Sequence, residues 1–209
     1  MSLRFRPIAS SSLGNAYVVD DGKTTVLIEC GLKFRDIQIA LDFQTSKIAG
    51  CLLSHEHDDH SHSIRDVLKA GISVYTSKGT QEALGINHHR VKTIEARKQF
   101  RIGSFTILPF ETEHDANEPL GFLIESDAGE RLLFATDTYF IRYRFKGLNI
   151  IAVECNYSED ILRQNILDGI VPVVMKKRLL RSHFSFENYK EFLRANDLSQ
   201  VREIWLIHM

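Results

Sequence analysis

Residues 48–60 read Ile48-Ala49-Gly50-Cys51-Leu52-Leu53-Ser54-His55-Glu56-His57-Asp58-Asp59-His60, an apolar run that breaks off into imidazoles and carboxylates. The first part, Ile48 to Leu53, has the length and character of a short buried strand. The second part puts His55, His57, Asp59 and His60 on a strand-to-loop turn, where all four can point to one side of the backbone. Imidazole and carboxylate are the ligand types that suit zinc, manganese or iron. Four donors strung this tightly are too many for one tetrahedral ion that also keeps an open position. Two adjacent ions sharing the loop accommodate them all. A solvated, His-rich loop is the competing reading of the same residues.

The surrounding sequence supplies strands on both sides of this segment. Upstream, Tyr17–Val19 and Thr24–Ile28 flank the turn residues Asp20-Asp21-Gly22, which predicts a β-hairpin. Phe34, Ile37, Ala40 and Leu41 recur at helical spacing within Lys33–Phe43. Downstream, the pattern predicts a helix over Ile64–Ala70, a strand over Ile72–Tyr75 and a helix over Gly79–Leu84 opened by Ser77. Phe105–Leu108, Gly121–Ile124, Leu132–Ala135 and Ile150–Val153 form a second batch of strands. A helix over Phe186–Leu193, N-capped by Ser185, leads to a last strand at Glu203–Ile207. Two batches of strands, each with its own helices, predict two sheets covered by helices. With no internal repeat, low-complexity tract or Pro/Gly-rich linker, residues 1–209 read as one domain.

Composition narrows the function. A chain of 209 residues buries a substantial core unaided, so a bound metal is expected to serve chemistry rather than to staple the fold. A net charge of -1 argues against a protein-wide positive field that coats DNA or RNA, and leaves room for a locally basic cleft. Cys30, Cys51 and Cys155 are odd in number, share no short spacing and sit in or beside apolar runs. They read as buried free thiols in a reducing compartment. The opening MSLRFRPIAS lacks the apolar segment of a signal peptide, and no window approaches the roughly 18 apolar residues of a membrane helix. The expected location is the cytoplasm, with no membrane partner; oligomeric state is left open.

The His55-x-His57-x-Asp59-His60 motif after an apolar strand resembles the signature of the metallo-β-lactamase superfamily. That resemblance implies an α/β fold, an αββα sandwich of two mixed sheets flanked by helices, with the metal site at the sheet edge. It also implies a further His, then an Asp after a strand, then a late His. The chain has these in His114, Asp137 and His208. By resemblance, one ion takes His55, His57 and His114, the other takes Asp59, His60 and His208, and Asp137 bridges them. The chain stops at Met209, where family members usually continue, so a C-terminal tail is expected to be missing.

Two divalent ions, zinc or manganese, would generate hydroxide near neutrality and cleave lactams, thioesters or phosphodiesters alike, so the metals alone do not name the substrate. A local basic patch, Lys176-Lys177-Arg178 and Arg181-Ser182-His183, suits an anionic substrate. The alternative is the polar face and end of a helix. The sequence also resembles the intracellular YycJ-like (WalJ) exonuclease branch in Ser10-Ser11-Ser12-Leu13-Gly14-Asn15, in Glu154-Cys155-Asn156-Tyr157 and in His183-Phe184-Ser185. It departs from that branch at Glu29, where Asp is usual, and at Phe184, where Leu is usual. The resemblance implies a nucleic-acid substrate. The expected reaction is attack of a metal-bridging hydroxide on phosphorus, with Asp59, Asp137 and His183 catalytic and His183 protonating the leaving oxygen. Lys177, Arg181 and Ser185 are the expected substrate contacts. A hydrolase of small acyl substrates is the alternative within enzymes, and a non-catalytic metal-binding module lies outside them. His62, the His88-His89-Arg90 loop and the Arg142-Tyr143-Arg144 run with Lys146 read as solvated.

Overall fold

The computed structural model describes residues 2–209, and of Arg178 only the backbone. A first six-stranded sheet runs in sequence order: β1 (Arg4–Ser11), β2 (Gly14–Asp20), β3 (Thr25–Ile28), β4 (Ile48–Leu52), β5 (Val74–Thr76) and β6 (Val91–Thr93). A second comprises β7 (Phe100–Ile102), β8 (Phe105–Glu111), β9 (Leu120–Ser126), β10 (Arg131–Ala135), β11 (Ile150–Glu154) and β12 (Glu203–Ile207), again with sequence neighbours adjacent. Both sheets are mixed. β1 to β3 are antiparallel and β3 to β6 parallel; β7 to β10 are antiparallel and β10 to β12 parallel.

The strands read as near-continuous apolar runs because both of their faces are covered. Val26 and Ile28 of β3 face the second sheet, whereas Leu27 faces the opposite way. In β10 and β11, Leu132, Phe134, Ile150 and Ala152 fill the layer between the sheets, and Leu133, Ala135, Ile151 and Val153 the layer outside. The period of two thus feeds two separate cores. The outer core of the first sheet is closed by α1 (Phe34–Ala40) and by α3 (Ile64–Lys69), which follows the short α2 (Asp58–Ser61). α4 (Lys78–Ala83) begins at Ser77, whose Oγ accepts from Thr80 N at 3.0 Å. The outer core of the second sheet is closed by Tyr189 and Phe192 of α7 (Phe186–Ala195). Between β11 and α7 lie α5 (Glu159–Leu167) and α6 (Val173–Ser182). The result is the αββα sandwich implied by the motif. β1, β6, β7 and α5 escape the sequence reading because their apolar residues are too few or too interrupted to mark a period.

Relative strand direction explains where chemistry collects. β3, β4, β8, β10, β11 and β12 all finish at one edge of the sandwich, and the β1–β2 hairpin turns there as well. Glu29, Ser54-His55, His114, Asp137 and His208 lie just past those ends, and Glu154 is the last residue of β11. A polar residue can follow a buried strand here because the chain leaves the core at this edge.

Candidate metal centre

The edge gathers every predicted ligand. His55, His57, His114 and Asp137 form one group and Asp59, His60, His208 and Asp137 a second, with ligand atoms within 4.8 Å of one another in each. Asp137 belongs to both. Its Oδ2 lies 3.8 Å from His55 Nε2 and 3.5 Å from His114 Nε2, while its Oδ1 lies 3.3 Å from His60 Nε2 and 3.4 Å from His208 Nδ1. The backbone at Asp137 adopts φ 41°, a left-handed turn that swings the side chain off the end of β10, and Thr136 Oγ1 donates to Oδ1 at 2.8 Å.

Neighbouring groups set which nitrogen each imidazole presents. The Ser182 carbonyl can only accept, so at 3.0 Å it fixes the proton of His114 on Nδ1 and leaves Nε2 as the free donor atom. Glu154 faces Nδ1 of both His183, at 2.5 Å, and His208, at 3.0 Å. It also accepts from Thr138 N at 2.9 Å and sits wholly buried at the end of β11. Glu29, also buried and with φ 61°, lies 3.6 Å from His60 Nδ1 and accepts from Ser54 N at 3.2 Å. Here Glu stands in for the usual Asp, and the positive φ together with the longer side chain still brings a carboxylate to His60.

Burial dominates the electrostatics. It pushes the His55 pKa well below the usual histidine range, with the nearby His60 adding to the effect. His114 is likewise lowered by burial. Burial opposes the charge on His60 and His208 too, but carboxylates outweigh it. Asp137 and Asp59 hold His60 well above its ordinary value, and Asp59 and Glu154 raise His208 to about 9. Asp137 itself stays ionised despite burial because His60, His208 and His55 surround it.

The donor set fits divalent ions. His55 Nε2 is buried with no hydrogen-bond partner, facing Asp137 across 3.8 Å, and His57 Nδ1 and His114 Nε2 approach to 3.1 Å. The unprotonated faces of His55 and His114 converging on the Asp137 carboxylate form a donor set that suits a divalent cation.

Hydrogen bonds from the β1–β2 hairpin secure the edge at two points. His208, the penultimate residue, donates its backbone N–H to Ser10 Oγ at 2.7 Å, and its carbonyl accepts from Asn156 Nδ2 at 3.0 Å. Asn15, in the Ser10–Asn15 stretch, donates to the Asp59 carbonyl at 3.2 Å and accepts from Tyr17 Oη at 2.9 Å. Glu154, Asn15 and Glu29 are the site residues that spacing alone does not reveal. Their sequence signals are the resemblance motifs that contain Asn15 and Glu154, and for Glu29 a carboxylate directly after an apolar strand.

Five of the predicted ligands, His57, Asp59, His114, Asp137 and His208, line an open cleft of about 350 Å³ with Ser12, Asn156, His183, Met175 and Leu179. Lys177, Arg181 and Ser185 do not line it. Met175 and Leu179 point α6 into the cleft, and Lys177 and Arg181 follow each by two residues, about 200° further round the helix, exposed to solvent. Ser185 is wholly buried and caps α7, its Oγ accepting from Asn188 N at 3.1 Å. Ser185→Ala is therefore expected to lower stability by about 1 kcal/mol, seen in denaturant melts, while leaving KM unchanged. A raised KM at unchanged stability would restore a substrate role. The side chain of Arg178 lies outside the described residues. His62 is exposed and pairs with Asp58 at 3.2 Å, and His88 and His89 stack on each other away from the cleft. All three cysteines are free and buried. No helix among the described residues is long and apolar enough to cross a membrane.

Buried histidines and carboxylates converging at the strand ends of an αββα sandwich define a metal-dependent hydrolase. The chain belongs to the β-lactamase superfamily: the family model described as "Beta-lactamase superfamily domain" matches residues 24–209. In sequence it is 24% identical to the exodeoxyribonuclease WalJ of Streptococcus pneumoniae, over all of this chain and 82% of the relative, in keeping with the WalJ-like motifs. Among solved structures it resembles the metallo-β-lactamase fold protein YhfI of Bacillus subtilis, with a TM-score of 0.72, 16% identity and coverage of 100% of this chain and 87% of that one. It also resembles the short form of human tRNase Z, with a TM-score of 0.71, 12% identity and coverage of 98% and 91%. These structural likenesses concern the fold.

Proposed function

We propose that the protein is a dinuclear-metal phosphodiesterase that degrades nucleic acid as an exonuclease, with zinc or manganese as its ions. The observation that carries the reading is Asp137, whose two oxygens each face one ligand group at the floor of an open, polar cleft. The full-length similarity to an exodeoxyribonuclease supports the choice of substrate. His55, His57 and His114 would hold one ion and Asp59, His60 and His208 the other, with Asp137 shared. Bound there, the ions supply an activated water and draw charge from the phosphoryl oxygens.

The chain's own residues do the rest. Glu154 accepts from His183 Nδ1–H and holds the ring, leaving Nε2 toward the cleft that both residues' neighbours line. From there His183 delivers a proton to the departing oxygen, and the fully buried Glu154 carboxylate stabilises the charged ring before that transfer. Asn15 and Glu29 hold Asp59 and His60 in place. Met175 and Leu179 give one wall of the cleft an apolar surface that restricts water.

The reading is tested by metal analysis joined to digestion of 5′-labelled single- and double-stranded DNA and RNA. Two ions per chain with stepwise release of end nucleotides is the expected result. Two ions with no cleavage of any of the four under zinc or manganese would defeat it. His183→Ala is expected to slow cleavage of a diester with a poor leaving group by about 10²-fold or more while both ions remain bound. A nitrophenyl diester, whose leaving group needs no proton, should be affected far less. Equal loss on both substrates would remove the proton-donor role.

A further inference from the structure

A second pocket, of about 340 Å³, lies between residues 140–144 and α7. Its walls continue those of the cleft along the chain. Asp137 and His183 belong to the cleft, Phe140 and Phe184 to the pocket, so the two lie within about 10 Å along the chain. Thr138 ties them together: its N–H donates to Glu154, and its Oγ1 donates to the Phe140 carbonyl at 2.8 Å.

Much of the pocket is already engaged. Arg142 pairs with Glu113, Tyr143 donates to Glu111, Glu191 pairs with Arg194 at 2.5 Å, and Asn196 Oδ1 accepts from Phe145 N at 2.7 Å. Three side chains on its wall are left over. The Phe140 ring is 52% exposed. Arg144 is exposed and joins none of the ion pairs among the described residues. The Asn188 side-chain amide is exposed and likewise makes no hydrogen bond among the described residues. An aromatic face, a free guanidinium and a free amide around a space of this size are the groups that recognise a nucleotide: a π-surface for the base, a cation for phosphate and an amide for a base edge.

We infer that this pocket binds the nucleotide next to the scissile phosphate, with its base on Phe140 and its phosphate against Arg144. The inference rests on the phosphodiesterase reading and narrows it to single-stranded nucleic acid, since a base must be unpaired to lie on Phe140. The Arg142-Tyr143-Arg144 run, which reads as solvated from sequence, thereby divides into an Arg142 fastened to the protein and an Arg144 available to substrate.

The test uses the metal-loaded protein and a fluorescein-labelled oligothymidylate, with binding followed by anisotropy. Phe140→Ala should weaken binding by about tenfold, the scale of one base–aromatic stack. Arg144→Gln should weaken binding and flatten the dependence of log K on log salt by about 0.7, the loss of one phosphate contact on a single strand. Both should hydrolyse bis(p-nitrophenyl) phosphate, which has no flanking nucleotide, at the wild-type rate. Wild-type affinity and salt slope in both variants would overturn the pocket while leaving the phosphodiesterase reading standing. Wild-type protein that hydrolyses no diester would overturn that reading, and the binding series would still decide the pocket.

Discussion

Asp137→Ala is expected to reduce diester hydrolysis by at least about three orders of magnitude and to strip the protein of bound metal. The expectation follows from geometry. Among the described residues no other side chain faces both groups with separate oxygens, so on the dinuclear reading this one deletion would remove a ligand from each ion and the negative charge between them. Deleting His57 or Asp59 touches one group only, and a partial loss is expected there. Water from the cleft can fill the space left by the truncation but brings no negative charge to replace the carboxylate. Metal content by mass spectrometry, turnover and circular dichroism on one preparation check the outcome. A folded variant that keeps both ions and wild-type turnover would sink the bridging role.

Gly31→Ala should be the most damaging substitution away from the ligands themselves. A Cβ at this position would lie 1.7 Å from the Asp59 carbonyl oxygen, 2.2 Å from its carbon and 2.8 Å from His60 N. All three are backbone atoms, so no flexible side chain can turn aside. The surroundings are also clamped: Cys30 N donates to the His60 carbonyl at 2.8 Å, and Gly31 N donates to the Asn15 carbonyl at 2.9 Å. Relief therefore requires the metal loop to move away from β3. The expected cost is about 3 kcal/mol, a fall in Tm of about 10 °C for a chain of this size. Metal affinity should fall with it, because the displaced atoms carry Asp59 and His60. Gly50→Ala is the useful comparison. Its Cβ meets the Tyr75 ring at 2.8 Å and Ile102 at 3.2 Å, both side chains that can shift, so a smaller loss is expected. Gly31→Ala melting within roughly 2 °C of wild type with full metal content would show that the loop yields more easily than its contacts imply.

The amino-acid sequence by itself determines most of the strands, several caps and the histidines and aspartates that gather at one edge. Runs such as Leu132–Ala135 and Ile150–Val153 are apolar at every position because each strand is covered on both faces, and that requirement is written locally. Ser77 and Ser185 announce helix starts for an equally local reason, since the backbone N–H that each satisfies lies three residues away. His55 to His60 mark a candidate metal loop because four residues of ligand type fall within one turn of chain. The tertiary structure decides what depends on residues distant in sequence. Glu154 becomes the orienter of His183 and His208 only when β11 is laid beside β12. Asn15 reaches Asp59 only when the β1–β2 hairpin and the metal loop turn at one edge. Which way Lys177 and Arg181 face is set by the direction of α6, and Arg144 lines a pocket only when α7 packs beside residues 140–144. A sequence fixes which face of a helix or strand is apolar through its period. Where a polar side chain on the other face points is set by which strands lie side by side, and that is decided by contacts between residues up to some two hundred positions apart, such as His208 with Ser10.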